Sequence, residues 1–353
     1  MFELNNILRE NIKNLVPYSS ARDEFSGEAS VFLDANENSF GSPLSEKYNR
    51  YPDPLQLKIK QRLSQIKGVP PRNIFLGNGS DEAIDILFRA FCRPGIDNVI
   101  IVPPTYGMYE VSAHINDVAL RRVNLNAAFQ LDMDGIAESI DENTKLIFIC
   151  SPNNPTGNSI DRDDIQTLLA NFNGLVIVDE AYINFSRQKT FIQELTEYSN
   201  LVVLQTLSKA WGMAGLRVGM AFASEEIIEV FNKVKPPYNI NQASQELVLQ
   251  ALENVEQVNE WIRLTVSERN KLRAELGSMG FVEKIYPSDA NFLLVKVNDP
   301  LSLYQALLSQ GIIVRDRSRV VLCEGCLRIT IGTPEENETL INFLKSFQTA
   351  ARS

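Results

Sequence analysis

Lys209 stands eight residues before Arg217 in the stretch "TLSKAWGMAGLRVG" (206–219), which holds three glycines and no other charge. Two isolated cations beside the hydroxyl of Ser208 suit a binding site better than a solvated surface. Lys209 follows the apolar run "LVVLQ" (201–205). A lysine in that position can form a Schiff base with an aldehyde once a neighbouring cation and partial desolvation lower its pKa. A second apolar run, "LVIVD" (175–179), ends in Asp179, and Tyr182 follows three residues on. A carboxylate at the end of a buried strand needs a partner, because burying an unpaired charge is costly. An acid against a ring nitrogen and a phenol against a ring oxygen would meet that need.

Two further segments add polar groups. In "IFLGNGSDEAIDILFRAF" (74–91) a strand runs into a glycine turn and then a helix, whose face is spaced Ile84, Leu87, Phe88, Phe91. Gly77 and Gly79 permit a sharp turn, Ser80 is a natural N-cap, and the free N–H groups of a helix start favour an anion. Taken alone, the segment reads first as an ordinary capped helix. "CSPNNPTG" (150–157) is turn chemistry, within which Asn154 could donate to a ligand oxygen. Arg217, Ser208 and the Gly79–Ser80 helix start form a cradle for phosphate. A lysine for an aldehyde, an acid for a pyridine nitrogen, a phenol for a ring hydroxyl and a phosphate cradle together describe pyridoxal 5'-phosphate.

The elements that must hold these groups are legible as short runs that are apolar at nearly every position: 98–102, 145–150, 175–179, 201–205 and 219–223. Such runs suit strands covered on both faces, as in a parallel α/β sheet, where ligands gather beyond the carboxyl ends of the strands. The expected organisation is α/β, with a mostly parallel central sheet in a large domain, residues 46–240. Residues 1–45 with 241–353 are expected to form a smaller α+β domain, whose strands read as 292–297, 311–316 and 326–332.

The bulk numbers narrow the class. A chain of 353 residues fits roughly two domains. With 34 Lys+Arg against 44 Asp+Glu, the net charge of −10 argues against nucleic acid as a partner. Neither a signal peptide nor a stretch approaching a membrane helix is visible. Four cysteines fit a reducing, cytoplasmic setting. Cys323 and Cys326 form a single C-x-x-C with no second pair, which reads as packing rather than as metal or redox chemistry. His114, the only histidine, has no assigned role. A nucleotide-binding module built on "GNGSDE" would need phosphate-loop or G-x-G-x-x-G spacing, which the chain lacks.

The ordered set "NENSFGSP", "RYPDP", "GNGSDE", "PTYGMY", "SPNNPTG", "VDEAY", "TLSKAWGMAGLRVG" and "CLRITIGT" resembles the fold-type I, class II aminotransferases. "VPYSSAR" (16–22), "RYPDP" and "CLRITIGT" tilt the resemblance to their histidinol-phosphate branch. The resemblance implies that Lys209 bonds the cofactor and serves as the base, and that Asp179 keeps the ring nitrogen protonated. It implies that Tyr182 and Asn154 bind the ring oxygen and that Tyr106 stacks on the ring. Arg217, Ser208, Gly79 and Ser80 would hold the phosphate, with Tyr51 lent across a homodimer interface. Arg328 would bind substrate carboxylate or phosphate, joined by Arg315, Tyr18 and Asn36; a solvated charge run is the other reading of Arg315. The implied reaction interconverts histidinol phosphate plus 2-oxoglutarate with imidazole acetol phosphate plus glutamate, in histidine biosynthesis. Threonine-phosphate decarboxylation or aromatic amino-acid transamination would use the same fold.

Overall fold

The computed structural model describes residues 2–18, 30–44 and 46–350. Of the "VPYSSAR" motif, residues 19–22 therefore lie outside the described residues. Seven strands form the large sheet: β1 (Ile74–Asn78), β2 (Asn98–Ile101), β3 (Ala119–Arg122), β4 (Thr144–Cys150), β5 (Leu175–Asp179), β6 (Leu201–Thr206) and β7 (Val218–Phe222). Their order is β1-β7-β6-β5-β4-β2-β3. The neighbours from β6 through β3 run parallel, while β7 is antiparallel to both β1 and β6. Alternation along each strand divides its side chains between two layers. On β5, Val176 and Val178 face one core with Ile147 and Ile149, while Leu175 and Ile177 face the other with Leu146 and Phe148.

The helices that cover this sheet begin with α1 (Leu4–Ile7) and α2 (Glu10–Lys13), followed by α3 (Leu57–Lys67), α4 (Gly79–Phe91) and α5 (Met108–Ile115). Next come α6 (Met133–Ser139), α7 (Arg162–Asn171), α8 (Glu225–Val234) and α9 (Gln242–Ala251). The predicted face of α4 is buried throughout: Ile84, Leu87, Phe88 and Phe91 are all fully enclosed. The expected grouping of residues 1–45 with the smaller unit is not how α1 and α2 pack. Ile7 and Ile12 sit in the layer that holds α4 and α8, and the Arg9 N–H donates to Ala90 O at 3.0 Å. Val248 of α9 and Leu252 likewise belong to the large-sheet core, so the apolar packing of this unit runs past residue 240.

The long helix α10 (Val255–Gly277) leads to a four-stranded antiparallel sheet of β8 (Val282–Ile285), β9 (Phe292–Val297), β10 (Arg315–Asp316) and β11 (Cys326–Thr330), ordered β10-β11-β9-β8. Helices α11 (Pro300–Ser309) and α12 (Pro334–Ala350) complete it. Leu293, Val295, Leu327 and Ile329 pack with Leu272 and Leu276 of α10. The opposite face, with Leu294 and Cys326, joins the large-sheet core. The strand expected over 311–316 shrinks to two residues, because Gly311 turns at φ 72° and the Ile312 N–H closes the end of α11 by donating to Leu307 O at 2.9 Å. Cys323 and Cys326 are buried free thiols within that core, in keeping with packing.

Candidate active site

The parallel register places three strand ends side by side. Cys150 at the end of β4 pairs with Asp179 at the end of β5, and Asp179 pairs with Leu204 near the end of β6. The turn after β4 carries Asn154, and the turn after β6 carries Ser208 and Lys209. These groups meet in a cavity of about 130 Å³. Gly79, Ser80, Tyr106, Asn154, Asp179, Tyr182, Ser208, Lys209 and Arg217 all line it.

At one end, α4 begins at Gly79, so Ser80 is its second residue rather than its cap. The cap position falls to Asn78, whose N–H donates to the carboxylate of Glu82, one turn into the helix, at 2.5 Å. Gly79 is at φ 71° and donates its N–H to Arg217 O at 2.9 Å. A Cβ on Gly79 would lie 2.7 Å from Arg217 Nη2. Arg217 is itself left-handed, at φ 55°, which wraps its backbone and guanidinium around the helix start. A Cβ on Gly219 would lie 2.1 Å from Ser80 N. Two glycines thus let β7 and the first turn of α4 close around a hollow of N–H groups and one guanidinium. Ser208 N and Oγ both approach Thr206 Oγ1, at 3.1 and 3.0 Å.

At the other end, Asp179 is buried. Its Oδ2 accepts from Tyr109 O–H at 2.7 Å and its Oδ1 from Ala181 N–H at 3.0 Å. Burial pushes the carboxyl above its ordinary range, and the Tyr109 and Ala181 donors and the Lys209 charge oppose that rise. The Lys209 amine lies 5.7 Å from the centre of the Tyr182 ring. Desolvation lowers its pKa, and repulsion from Arg328 and Arg217 adds to this, against the attraction of Asp179 and Asp81. Burial holds the Tyr182 hydroxyl well above its usual value. Arg328, on β11, donates from Nη1 to Asn154 Oδ1 and lies over the Phe292 ring at 5.3 Å.

A second cavity, about 920 Å³, shares Tyr106, Asn154, Tyr182 and Lys209 with the first and adds Arg315 and Arg328. Tyr18 and Asn36 line neither of these two cavities; both are exposed, Asn36 at φ 54°. Tyr51 is 51% exposed, stacked 4.5 Å from Tyr238 and outside both cavities.

Sequence reasoning missed Asp81, Tyr109 and Arg317. Asp81 holds Arg217 Nη2 at 3.5 Å and accepts from the Tyr106 hydroxyl at 3.1 Å. Tyr109 sits three residues after Tyr106, a helical spacing that could have flagged it. Arg317 sits two after Arg315, a strand spacing that could have done the same.

An amine of lowered pKa, a buried carboxylate, a phenol that stays protonated and a glycine-lined cation hollow are the donor set that pyridoxal 5'-phosphate requires. The hollow needs glycine where a Cβ would fill it, so these residues fit the cofactor. The family description "Aminotransferase class I and II" matches residues 31–344. A histidinol-phosphate aminotransferase of Parabacteroides distasonis is 55% identical over 348 residues, spanning 99% of this chain and 100% of the relative. The chain belongs to the aminotransferase class I and II family, in its histidinol-phosphate branch. Among solved structures, the histidinol-phosphate aminotransferase of Clostridium acetobutylicum superposes with a TM-score of 0.79 at 24% identity, covering 86% of this chain and 92% of that one. That of Sinorhizobium meliloti, in complex with pyridoxal-5'-phosphate, gives 0.76 at 23%, covering 89% and 90%. The α/β architecture is therefore the fold-type I aminotransferase fold, with its large mixed sheet and smaller antiparallel one.

Proposed function

We propose that this chain is a pyridoxal-phosphate transaminase that takes an amino group from glutamate and delivers it to imidazole acetol phosphate, forming histidinol phosphate. The observation that carries the reading is the convergence of Lys209, Asp179 and the Arg217 hollow on one cavity that opens, past Lys209, into an arginine-lined cleft. Bound pyridoxal phosphate supplies an electron sink for the charge left when a substrate Cα loses its proton. The chain's own residues do the rest. Lys209, whose pKa is lowered by desolvation and by Arg328, would be the residue that holds the cofactor through its aldehyde, and its amine would carry the proton to and from the substrate Cα. Asp179 would hold the ring nitrogen, whose cationic form would compensate the buried carboxylate. The Tyr182 O–H, held protonated, donates to the ring oxygen. Arg328 occupies the carbonyl end of Asn154, which leaves Nδ2 as its donor to the same oxygen. Tyr106 covers one ring face. Gly79, Ser80, Ser208 and Arg217 hold the phosphate. Arg328 and Arg315 receive the substrate's carboxylate or phosphate by bidentate pairing.

Tyr18, Asn36 and Tyr51 come under the same reading as parts of a site completed by a second copy. The support is their exposure, together with that of Val16, Leu33, Phe40 and Leu44 around them, an apolar surface that a partner would cover. Buried free thiols support a cytoplasmic setting; among the described residues no helix is long and apolar enough to cross a membrane. The deciding test is glutamate-dependent amination of imidazole acetol phosphate, run beside phenylpyruvate and beside carbon dioxide release from threonine phosphate. Turnover of the first is expected to dominate. Inactivity with it, while either alternative proceeds, would overturn the assignment.

A further inference from the structure

Three arginines of the smaller sheet line the cleft in front of Lys209: Arg315, Arg317 and Arg328. Arg315 and Arg328 lie directly opposite one another across β10 and β11. Arg317 follows two residues later, which returns it to the same face of the strand. Its N–H donates to Cys326 O at 2.9 Å, continuing the ladder one step beyond β10. The fourth cleft arginine, Arg122, is already neutralised by Glu110 at 2.6 Å. Among the described residues, no carboxylate pairs with Arg315, Arg317 or Arg328. Asp316, between Arg315 and Arg317, accepts at Oδ1 from the Ser318 N–H at 2.8 Å, and Glu324, nearest to Arg328 in sequence, accepts at Oε1 from the Leu322 N–H at 3.1 Å. Arg328 has a partner in Asn154, but Arg317 Nε is a buried donor with none. A donor in that condition has capacity left for an acceptor from outside the chain, water or ligand.

The charges of these three groups burden one another. Burial and the neighbouring Arg328 and Arg315 disfavour the charged form of Arg317, against smaller favourable contributions from Cys323 and Asp316. Glutamate brings two carboxylates of one charge each, which Arg328, already held in place, and Arg315 can meet, leaving Arg317 without a charge partner. A phosphoryl group carries up to two charges and three acceptor oxygens, enough for a second and a third guanidinium. We infer that Arg317 is the specificity residue that distinguishes the phosphorylated substrate from the dicarboxylate donor: its guanidinium engages a phosphate dianion in the cleft and contributes little to glutamate. This inference rests on the proposed function for the presence of a phosphate on the acceptor; the residue and the discrimination are its own content.

The test uses the holoenzyme and its Arg317→Gln and Arg317→Lys variants. In a two-stage reaction the specificity constants of the two substrates are measured separately. For Arg317→Gln, kcat/KM with imidazole acetol phosphate is expected to fall by about 10- to 100-fold, the loss of a charge-assisted hydrogen bond, mainly through KM. The value with glutamate should stay within about twofold. Arg317→Lys, which keeps the charge but not the fork, should fall between the two. Inorganic phosphate titrated into the holoenzyme should raise the thermal midpoint of the parent and fail to raise that of Arg317→Gln. An equal loss with both substrates, or none with the phosphorylated one, overturns the inference. So does the same phosphate response in parent and variant. If Arg317→Gln does not fold, the substrate split in Arg317→Lys decides in the same way. A parent that binds phosphate through Arg317 but does not aminate imidazole acetol phosphate would refute the proposed function and leave the anion site standing.

Discussion

Replacing Tyr109 by Phe isolates the hydroxyl that holds Asp179. Tyr109 is fully buried, its ring stacked on Phe148 at 4.8 Å and 18°, and Phe preserves both the volume and the stacking. What disappears is the 2.7 Å bond to Asp179 Oδ2, leaving Ala181 N–H as the one remaining hydrogen bond to that carboxylate among the described residues. A hydrogen bond to a charged group contributes about 1.5–3 kcal/mol, equivalent to roughly 1–2 pH units on the acid. The sign follows from the direction of the existing shift. Burial already raises Asp179 above its ordinary value, so the stability it contributes is full below that ordinary pKa and is lost as pH rises through the folded one. Removing Tyr109 moves the folded pKa further up. The variant apoenzyme should therefore lie close to the parent near the ordinary carboxyl pKa of about 4 and trail it by about 1.5–3 kcal/mol once the pH exceeds the folded-state pKa of both. Cofactor affinity should weaken by about 10- to 100-fold at neutral pH, because binding must restore the ionised acid. Urea unfolding of the apoenzymes across pH, with cofactor titration at each value, measures both. A deficit that does not change with pH would show that Tyr109 acts through packing alone, and one below about 0.5 kcal/mol throughout would refute the linkage.

Further outcomes follow from the same geometry. Gly219→Ala drives a Cβ to 2.1 Å from Ser80 N and 2.2 Å from Gly79 C, backbone atoms that cannot swing aside. We expect a loss of about 1–3 kcal/mol and a large drop in cofactor affinity, whereas Gly215→Ala, with nothing within 4 Å, should match the parent in thermal unfolding and cofactor titration. Lys209→Ala should be colourless beside a yellow parent, and borohydride should fix cofactor on Lys209 of the parent; an equally yellow variant labelled on another lysine would remove Lys209 from its role. Arg328→Gln takes away a positive neighbour that lowers the Lys209 pKa, so the midpoint for amine labelling of the apoenzyme should move to higher pH.

The parts of the site that were legible lie within one segment each. Strands β4, β5 and β6 announce themselves because residues covered on both faces are apolar at nearly every position, and that pattern carries their ends, Asp179 and Lys209, with it. The face of α4 shows in its spacing. The antiparallel entry of β7 between β1 and β6 did not show, since an apolar strand reads the same in either direction. Nor did the placement of α1 and α2: Ile7 and Ile12 mark a buried side without saying which sheet buries it. The short β10 was overestimated because "GIIV" is apolar whether it pairs in a sheet or closes a helix end.

What the sequence by itself determined about this chain is therefore the kind of each element and the chemical groups at its ends, because periodicity and composition act over a few residues. Which groups face one another was decided only by the tertiary structure. Asp81 against Arg217, Tyr109 behind Asp179, and Arg328 against Asn154 are meetings of segments far apart in the chain. The working state of Lys209 belongs there too. Its lowered pKa comes from burial and from the charges of β11 and of the turn before β7, and neither desolvation nor a neighbour's field exists until the chain has folded.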